Sequence, residues 1–530
     1  MNIKTFFTQA NSLFLGFFII GIGILLRFFM LSHQSLWIDE GATVAMTDSI
    51  SFWKNFSDFL EKDTGDRFQP LYYFVLPYWR LVFGDSEFVL RSFSALLGSV
   101  TVILIFSIAL RLYGKPHALW TAMLASVSAF GIFYSQDARP YALLLCLATL
   151  QTYLISYTLQ VDRNSNDRLW RWFFWMTTAI ASFGSIFIII FTVGISLSHF
   201  LVDRHLKRWL RWWLPCALWM LPAIIFYLSS NVATTPEKVN TTKRLGTLLY
   251  NVLFAPYGIL VGLTYGPSTE SLHSDNLLPV LLDYVPELLI LLLVVCLLVF
   301  FLFTYFLGKT EDLQYRLVSR FFASLLIISF GLAFLFAAFT PLNWLPRHSF
   351  YLWIPFVLLI PTITHQKHFY FLTKTTILIL ILLNLYALLN YYFKPIYWKD
   401  NYRAVAEYLK ANQNPSVASI LLYGTLRTLT YYNDTKTFNG LMLIGQCSKD
   451  CNLSSVNAKP GRTCVTSCFA QKVNHLTQGV PTVLVVVNRE FAWQKKTNIP
   501  VETLMSELYT LEASISSFQH FKIYRFTENR

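Results

Sequence analysis

The chain has 530 residues, of which 55% are hydrophobic, 17% aromatic and 13% charged, where a soluble globular domain carries about 25% charged residues. So little charge on so long a chain leaves too little polar surface to face water, which excludes a soluble enzyme, a disordered protein and a disulfide-stapled mini-scaffold. The net charge of +13 fits basic cytoplasmic loops and anionic headgroups better than nucleic acid, for which no motif is present. The expectation is a polytopic helical membrane protein in contact with membrane lipids, without a nucleic-acid partner.

A spanning helix needs roughly 20 apolar residues. The first apolar run, 12–31, is too long and has too little cleavage-site character for a signal peptide, so it reads as an uncleaved first helix. Further runs lie at 92–112, 117–135, 140–160, 172–201, 212–229, 288–307, 321–340, 350–364 and 375–393. Gly184 and Ser185 divide 172–201 into two passes. The stretch 247–265, interrupted by Pro256, Gly258 and Gly262, reads as re-entrant or interfacial. The total is about 11 transmembrane helices.

Basic residues set the orientation. Arg111/Lys115, Arg163/Arg168/Arg171, Arg204/Lys207/Arg208/Arg211, Lys309/Arg316/Arg320 and Lys367/Lys374 mark the cytoplasmic side, with the N-terminus. The segment 32–90, the turn near 135–140, 230–287, 341–349 and the tail from 394 then face outward. The expected site is an integral protein of the inner or plasma membrane.

Two domains are expected: 1–393, a transmembrane domain with its outward loop 32–90, and 394–530, an extracytoplasmic α/β domain. In the loop, Ser51–Lys62 reads as an amphipathic interfacial helix, and the aromatic segment Gln69–Phe83 reaches the bilayer edge. In the tail, a helix at Tyr402–Lys410, strands at Ser419–Tyr423 and Pro481–Asn488, a helix at Val501–Leu511 and a strand at His520–Phe526 alternate as in a small α/β fold. Cys447, Cys451, Cys464 and Cys468, spaced C-x3-C-x12-C-x3-C, suit two disulfides in an oxidising compartment. Zinc is the competing reading. Cys146, Cys216 and Cys296 lie in spans as small apolar fillers.

Three polar features could carry chemistry. Leu36-Trp37-Ile38-Asp39-Glu40-Gly41 places two adjacent carboxylates beside an aromatic at a membrane face, costly unless solvated or paired; acids at a helix N-terminus are the plain alternative. Tyr134-Ser135-Gln136-Asp137-Ala138-Arg139-Pro140-Tyr141 puts an Asp and an Arg in a short outward turn. Asp137 could cap the next helix, or the two could serve a metal or a phosphate. In Leu345-Pro346-Arg347-His348, the arginine could snorkel or grip a phosphate with its planar fork.

The pattern W-x-D-E-G, then Gln69-Pro70-Leu71-Tyr72-Tyr73, then F-G-D-S-E-F-V-L-R-S-F-S-A and Y-S-Q-D-A-R-P-Y-A-L, resembles the bacterial membrane glycosyltransferases of the GT-C fold. These are family-39-like enzymes related to protein O-mannosyltransferases and aminoarabinose transferases. Pro346-Arg347-His348 looks like their late P-R-Y motif. The likeness is dense over about 1–160 and thinner beyond. Three positions depart from the family: Phe68-Gln69-Pro70 stands for H-P-P, Phe183-Gly184-Ser185 for a Thr-His-Tyr break, and His348 for tyrosine. They leave metal dependence and acceptor identity open.

The resemblance implies transfer of a sugar, hexosyl or pentosyl, from a polyprenyl-phosphate-linked donor to an acceptor hydroxyl of a glycan, lipid or protein at the outer face, with inversion. It implies Asp39 as general base, with Glu40 and Asp137 orienting it or holding a divalent ion. Arg347 and Arg139 would bind the donor phosphate, and Trp37, Gln69, Tyr72, Tyr73 and His348 would line the donor and acceptor path. The rival class is a transporter or lipid flippase of surface-glycan assembly, which would place ionisable residues at mid-membrane depth. Only Arg27 sits clearly inside a span.

Overall fold

The computed structural model describes residues 3–47, 69–160, 167–229, 241–268, 271–273, 277–308, 312–339, 346–366, 368–422, 426–432, 442–444, 480–488, 509–518 and 520–528. The expected helix at 51–62 and the four tail cysteines lie outside these residues. The chain divides into two compact units. The first comprises Met1–Leu31, Ser49–Ser268 and Leu278–Phe393; the second comprises Ser32–Asp48, Thr269–Leu277 and Lys394–Arg530.

The first unit is helical: α1 (Ile3–Phe28), then, passing over α2 (Ile38–Met46) of the second unit, α3 (Pro70–Phe83), α4 (Glu87–Tyr113), α5 (Lys115–Val127), α6 (Ala129–Ser135), α7 (Tyr141–Ile155), α8 (Asp167–Ser182), α9 (Ile186–Asp203), α10 (Leu206–Ser229), α11 (Thr241–Val261), α12 (Leu277–Asp283), α13 (Val285–Leu307), α14 (Leu313–Phe339), α15 (Trp353–Leu359) and α16 (Tyr370–Phe393). The long helix α4 is buried along most of its length and packs against α1, α5 and α7. Outer helices carry rows of exposed apolar side chains, such as Leu289, Leu292, Leu293 and Val299 of α13. Water would not tolerate such rows and a bilayer does.

Among the described residues, seven helical segments are long and apolar enough to cross a membrane, and the α5–α6 pair, bent by 52°, makes an eighth. Two of the eleven expected passes differ, while the first, 12–31, falls on the 26-residue helix α1. The helix α8 has 16 residues and opens on Arg168 and Arg171. The segment 350–364 is broken into a 3₁₀ stretch at Pro346–Leu352, the single turns of α15 and a second 3₁₀ stretch at Ile360–His365. Pro355 and Pro361 each remove a backbone donor there. The expected break in 172–201 is present, since α8 ends at Ser182 and Ser185 caps α9 by accepting from the Phe187 N–H at 3.2 Å. The stretch 247–265 is the end of α11, which stops at Gly262 with φ +79°.

The bend between α5 and α6 is a designed break rather than a flaw. Arg27, 1% exposed, donates through Nη1 to the Gly23 and Ser126 carbonyls at 2.8 and 3.4 Å and through Nη2 to the Ala125 carbonyl at 3.2 Å. A cation there meets the negative end of α5. On the far side, the Ala129 N–H donates to Asn384 Oδ1 at 3.0 Å, and Ser128 Oγ accepts from the Gly131 N–H at 3.1 Å and from Trp353 Nε1 at 2.9 Å. Arg27, which the sequence places inside a span, is thus a helix cap.

The second unit contains α2, α17 (Tyr402–Ala411), α18 (Leu426–Tyr432) and a five-stranded sheet of order β2-β1-β3-β5-β4, with β1 Val417–Leu422, β2 Met442–Ile444, β3 Thr482–Asn488, β4 Tyr509–Phe518 and β5 Phe521–Glu528. β1 is parallel to β2 and β3, and β5 is antiparallel to β3 and β4. The central strand β3 reads as an unbroken Val-rich run because both its faces are covered. Tyr402, Val405, Ala406 and Leu409 of α17 pack on Leu421, Leu484, Val486 and Ile523. The expected helix 501–511 ends instead in strand, since Tyr509–Leu511 open β4.

Candidate active site

In the helical unit the turn between α6 and α7 carries Gln136, Asp137 and Arg139, all buried. The fold puts Tyr73 beside it: Arg139 Nη1 donates to the Tyr73 hydroxyl at 2.9 Å. Tyr73 stands edge-on to Tyr72, 5.9 Å between ring centroids, and the Tyr72 hydroxyl lies 3.1 Å from Ser94 Oγ. The Tyr134 hydroxyl interacts electrostatically with both Arg347 and Asp137. Arg347 and His348 are half-buried. Gln69, buried, precedes α3 as its N-cap residue.

The Phe183-Gly184-Ser185 break joins two of these motifs. The Leu71 N–H donates to the Phe183 carbonyl at 3.2 Å, which pins the start of α3. Two residues past the break, the Phe187 ring stacks on His348 at 4.6 Å and 10° between planes. Where the resembled family has a Thr-His-Tyr break, this chain uses a glycine turn and an aromatic stack.

The turn is seated by Gln136. Its Nε2 donates to the carbonyls of Leu26, Arg27 and Phe29 at 3.1, 3.1 and 2.8 Å. Leu26 and Arg27 are in the last turn of α1, whose carbonyls have no partner within their own helix, and Phe29 follows its end. Tyr392 adds a hydroxyl to the Leu26 carbonyl at 2.5 Å. Sequence reading passed over Gln136, Tyr134 and Phe187; the position of Gln136 inside the Y-S-Q-D-A-R-P-Y motif was the available signal.

In the second unit, Trp37, Asp39 and Glu40 open the nine-residue α2. Trp37 and Asp39 are half-buried and Glu40 is fully buried. Glu40 Oε2 accepts from the Trp37 N–H at 3.3 Å, closing the helix start, and Oε1 lies 3.2 Å from Lys399 Nζ. With an amide on one oxygen and an ammonium on the other, Glu40 is poorly suited to hold a cation. Among the described residues no group of three or more His, Cys, Asp or Glu forms a metal cluster. Lys399 is the residue sequence reading missed here. A single lysine after a Pro-Ile-Tyr-Trp run gives no local sign of its partner.

Fold and site together define a polytopic helical membrane protein with a buried, charged turn and a small α/β unit. Residues 69–234 match the family model of dolichyl-phosphate-mannose-protein mannosyltransferases. The resemblance carried by the sequence motifs, to GT-C glycosyltransferases related to those enzymes, is met again over that segment, and it supports a glycosyltransferase-type enzyme. No protein of curated function matches the chain. Among solved structures, the chain is similar to ArnT from Cupriavidus metallidurans in the apo state, with 13% identity, 96% of this chain and 97% of that chain covered and a TM-score of 0.46. It is similar to the same protein bound to undecaprenyl phosphate, with 12% identity, 96% and 97% covered and a TM-score of 0.44. It is also similar to the Archaeoglobus fulgidus oligosaccharyltransferase, with 12% identity, 95% and 72% covered and a TM-score of 0.47.

Proposed function

We propose that this protein transfers a sugar from a polyprenyl-phosphate-linked donor to an acceptor hydroxyl at the outer face of the membrane, with inversion. The observation that carries this reading is the buried Asp137–Arg139 turn, with Tyr73 on the arginine, in the segment 69–234 that matches the mannosyltransferase family model; Arg347, outside that segment, interacts electrostatically with Tyr134 beside the turn. A buried arginine at a helix junction suits an anionic ligand, and its planar fork matches a phosphate.

The acceptor oxygen attacks the anomeric carbon as the bond from that carbon to the phosphate oxygen breaks. The proton of the hydroxyl passes to Asp39 as general base, and the polyprenyl phosphate leaves as an anion. Arg347 and Arg139 stabilise the charge that develops on the leaving phosphate. Trp37, Gln69, Tyr72, Tyr73 and His348 line the path of donor and acceptor. Glu40 supports Asp39 and Asp137 orients its neighbours. No step is routed through a metal, because Glu40 already has its charge compensated by Lys399.

The test is sugar transfer by the full chain in lipid nanodiscs from a defined polyprenyl-phosphate sugar. Asp39→Asn keeps the shape and removes the base, so transfer should fall by roughly 10²–10⁴-fold with donor binding retained. Arg347→Lys keeps charge and loses the fork, so donor binding should weaken. Wild-type transfer by Asp39→Asn removes the base assignment. If the wild type consumes no lipid-linked sugar across a broad donor panel but moves lipid between leaflets, the transporter reading replaces this one.

A further inference from the structure

The helix that carries Asp39 has nine residues, too few to be stable alone in water. Its position is therefore set by what holds it, and what holds it is the tail. The Ser32 carbonyl accepts from Arg403 Nη2 at 2.9 Å. Gln34 Oε1 accepts from the Lys399 N–H at 3.0 Å, and Ser35 Oγ accepts from the Arg403 N–H at 3.1 Å. The Leu36 N–H donates to the Tyr432 hydroxyl at 2.7 Å. His33 packs edge-on against Trp398 at 4.8 Å. Gly41 lies so close to α18 that an added Cβ would fall 2.8 Å from the Thr428 Cα. This explains the glycine that closes W-x-D-E-G.

Most of these contacts grip the segment before the helix. One grips the helix itself beside Asp39. The Lys399 side chain is 7% exposed and that of Glu40 is 0% exposed, with the charged atoms 3.2 Å apart. The same carboxylate takes the Trp37 N–H on its other oxygen. The pair thus fixes both the rotation of α2 about its axis and the start of its first turn, where Asp39 sits. Taking two charges out of water is costly, and apolar residues of similar volume often stabilise as well or better. A positional role accounts for keeping the charges.

We infer that Lys399, acting through Glu40, is a positioning residue that aims the Asp39 carboxylate at the acceptor hydroxyl, which makes the tail unit part of the catalytic apparatus; this rests on Asp39 being the base. Small misplacements of a reacting group cost up to about 100-fold in rate.

The experiment measures kcat and donor KM for full-length variants in nanodiscs, with a defined polyprenyl-phosphate sugar. Lys399→Met should lower kcat by about 10–100-fold and leave donor KM within about twofold. Lys399→Arg, which restores a cation to Glu40, should recover most of the rate. In an Asp39→Asn background, Lys399→Met should leave the residual rate unchanged, because the lysine acts only through Asp39. If Lys399→Met does not fold, the pair Glu40→Gln/Lys399→Met decides, since it leaves no buried unpaired charge; it should fold and show the same kcat loss. A folded single or double variant with wild-type kcat overturns the inference, as does a further rate loss on Lys399→Met in the Asp39→Asn background. If Asp39→Asn itself transfers at the wild-type rate, the base assignment fails instead, which is a separate result.

Discussion

In the helical unit, the turn that carries Asp137 and Arg139 brings its own anchor. Gln136 stands next to Asp137 and gathers two α1 carbonyls and the one just past the helix end with a single amide nitrogen. In the second unit, the helix that carries Asp39 brings half an anchor. Glu40 and Gly41 are in the motif, but their partners Lys399 and Thr428 are more than 350 positions away. The two cases teach how far a motif can be read. Where the fastening residue lies inside the motif, its spacing is visible in the sequence. Where the fastener is distant, only the receiving half shows.

That contrast can be broken by attacking each fastening. Gly41→Val adds a side chain where there is no room before α18. We expect membrane insertion to be unchanged, as judged by detergent extraction, and transfer to fall by about 100-fold through displacement of Asp39. Near-normal transfer would mean that the helix tolerates movement and that its docking is incidental.

Gln136→Leu is the matching change in the helical unit. It strips an amide donor from the last carbonyls of α1, and each buried group left without a partner costs about 1–3 kcal/mol. Tyr392 still serves Leu26, which limits the loss. The expected readout is a lower melting midpoint in detergent, with a smaller fall in transfer than Gly41→Val. An unchanged melting midpoint would show that the turn does not depend on its glutamine.

Tyr73→Phe is the mildest. It keeps the ring against Tyr72 and removes only the hydroxyl that accepts from Arg139 at 2.9 Å. A hydrogen bond to a charged group is worth about 1.5–3 kcal/mol at most, and a donor phosphate can take its place. Donor KM should rise by no more than about tenfold, with kcat little changed. A large kcat loss would give Tyr73 a part in the chemistry itself.

Much of the helical unit is legible because a bilayer demands long apolar runs, and α4, α13, α14 and α16 are such runs. The break at Phe183–Ser185 is legible because Gly and Ser interrupt an otherwise uniform stretch. The segment 350–364 misleads because hydropathy counts apolar residues without asking how they are wound, and its prolines force short 3₁₀ turns. The bend at Ser128 is hidden for a similar reason: small residues look neutral until Arg27 and Asn384 are seen to cap them. The start of β4 is masked by the helical spacing of Val501–Leu511, because its ladder with β5 depends on residues that follow. In the candidate site, Asp137, Arg139 and the Tyr72–Tyr73 pair stand out as polar groups in apolar surroundings. Lys399 does not, because nothing in its neighbourhood announces a buried carboxylate elsewhere.

The docking of residues 32–46 onto residues 398–432 also sets an order of events during synthesis. The Asp39 helix leaves the ribosome well before its holders Lys399, Arg403 and Tyr432, which come nearly four hundred residues later. At about 5–20 residues per second, that interval is roughly 20–80 s. Through all of it the helix spans inserted in between can assemble while this short segment waits undocked. Ribosomes stalled before Tyr432 would therefore carry chains whose bundle is largely made and whose Asp39 segment is still open to proteases.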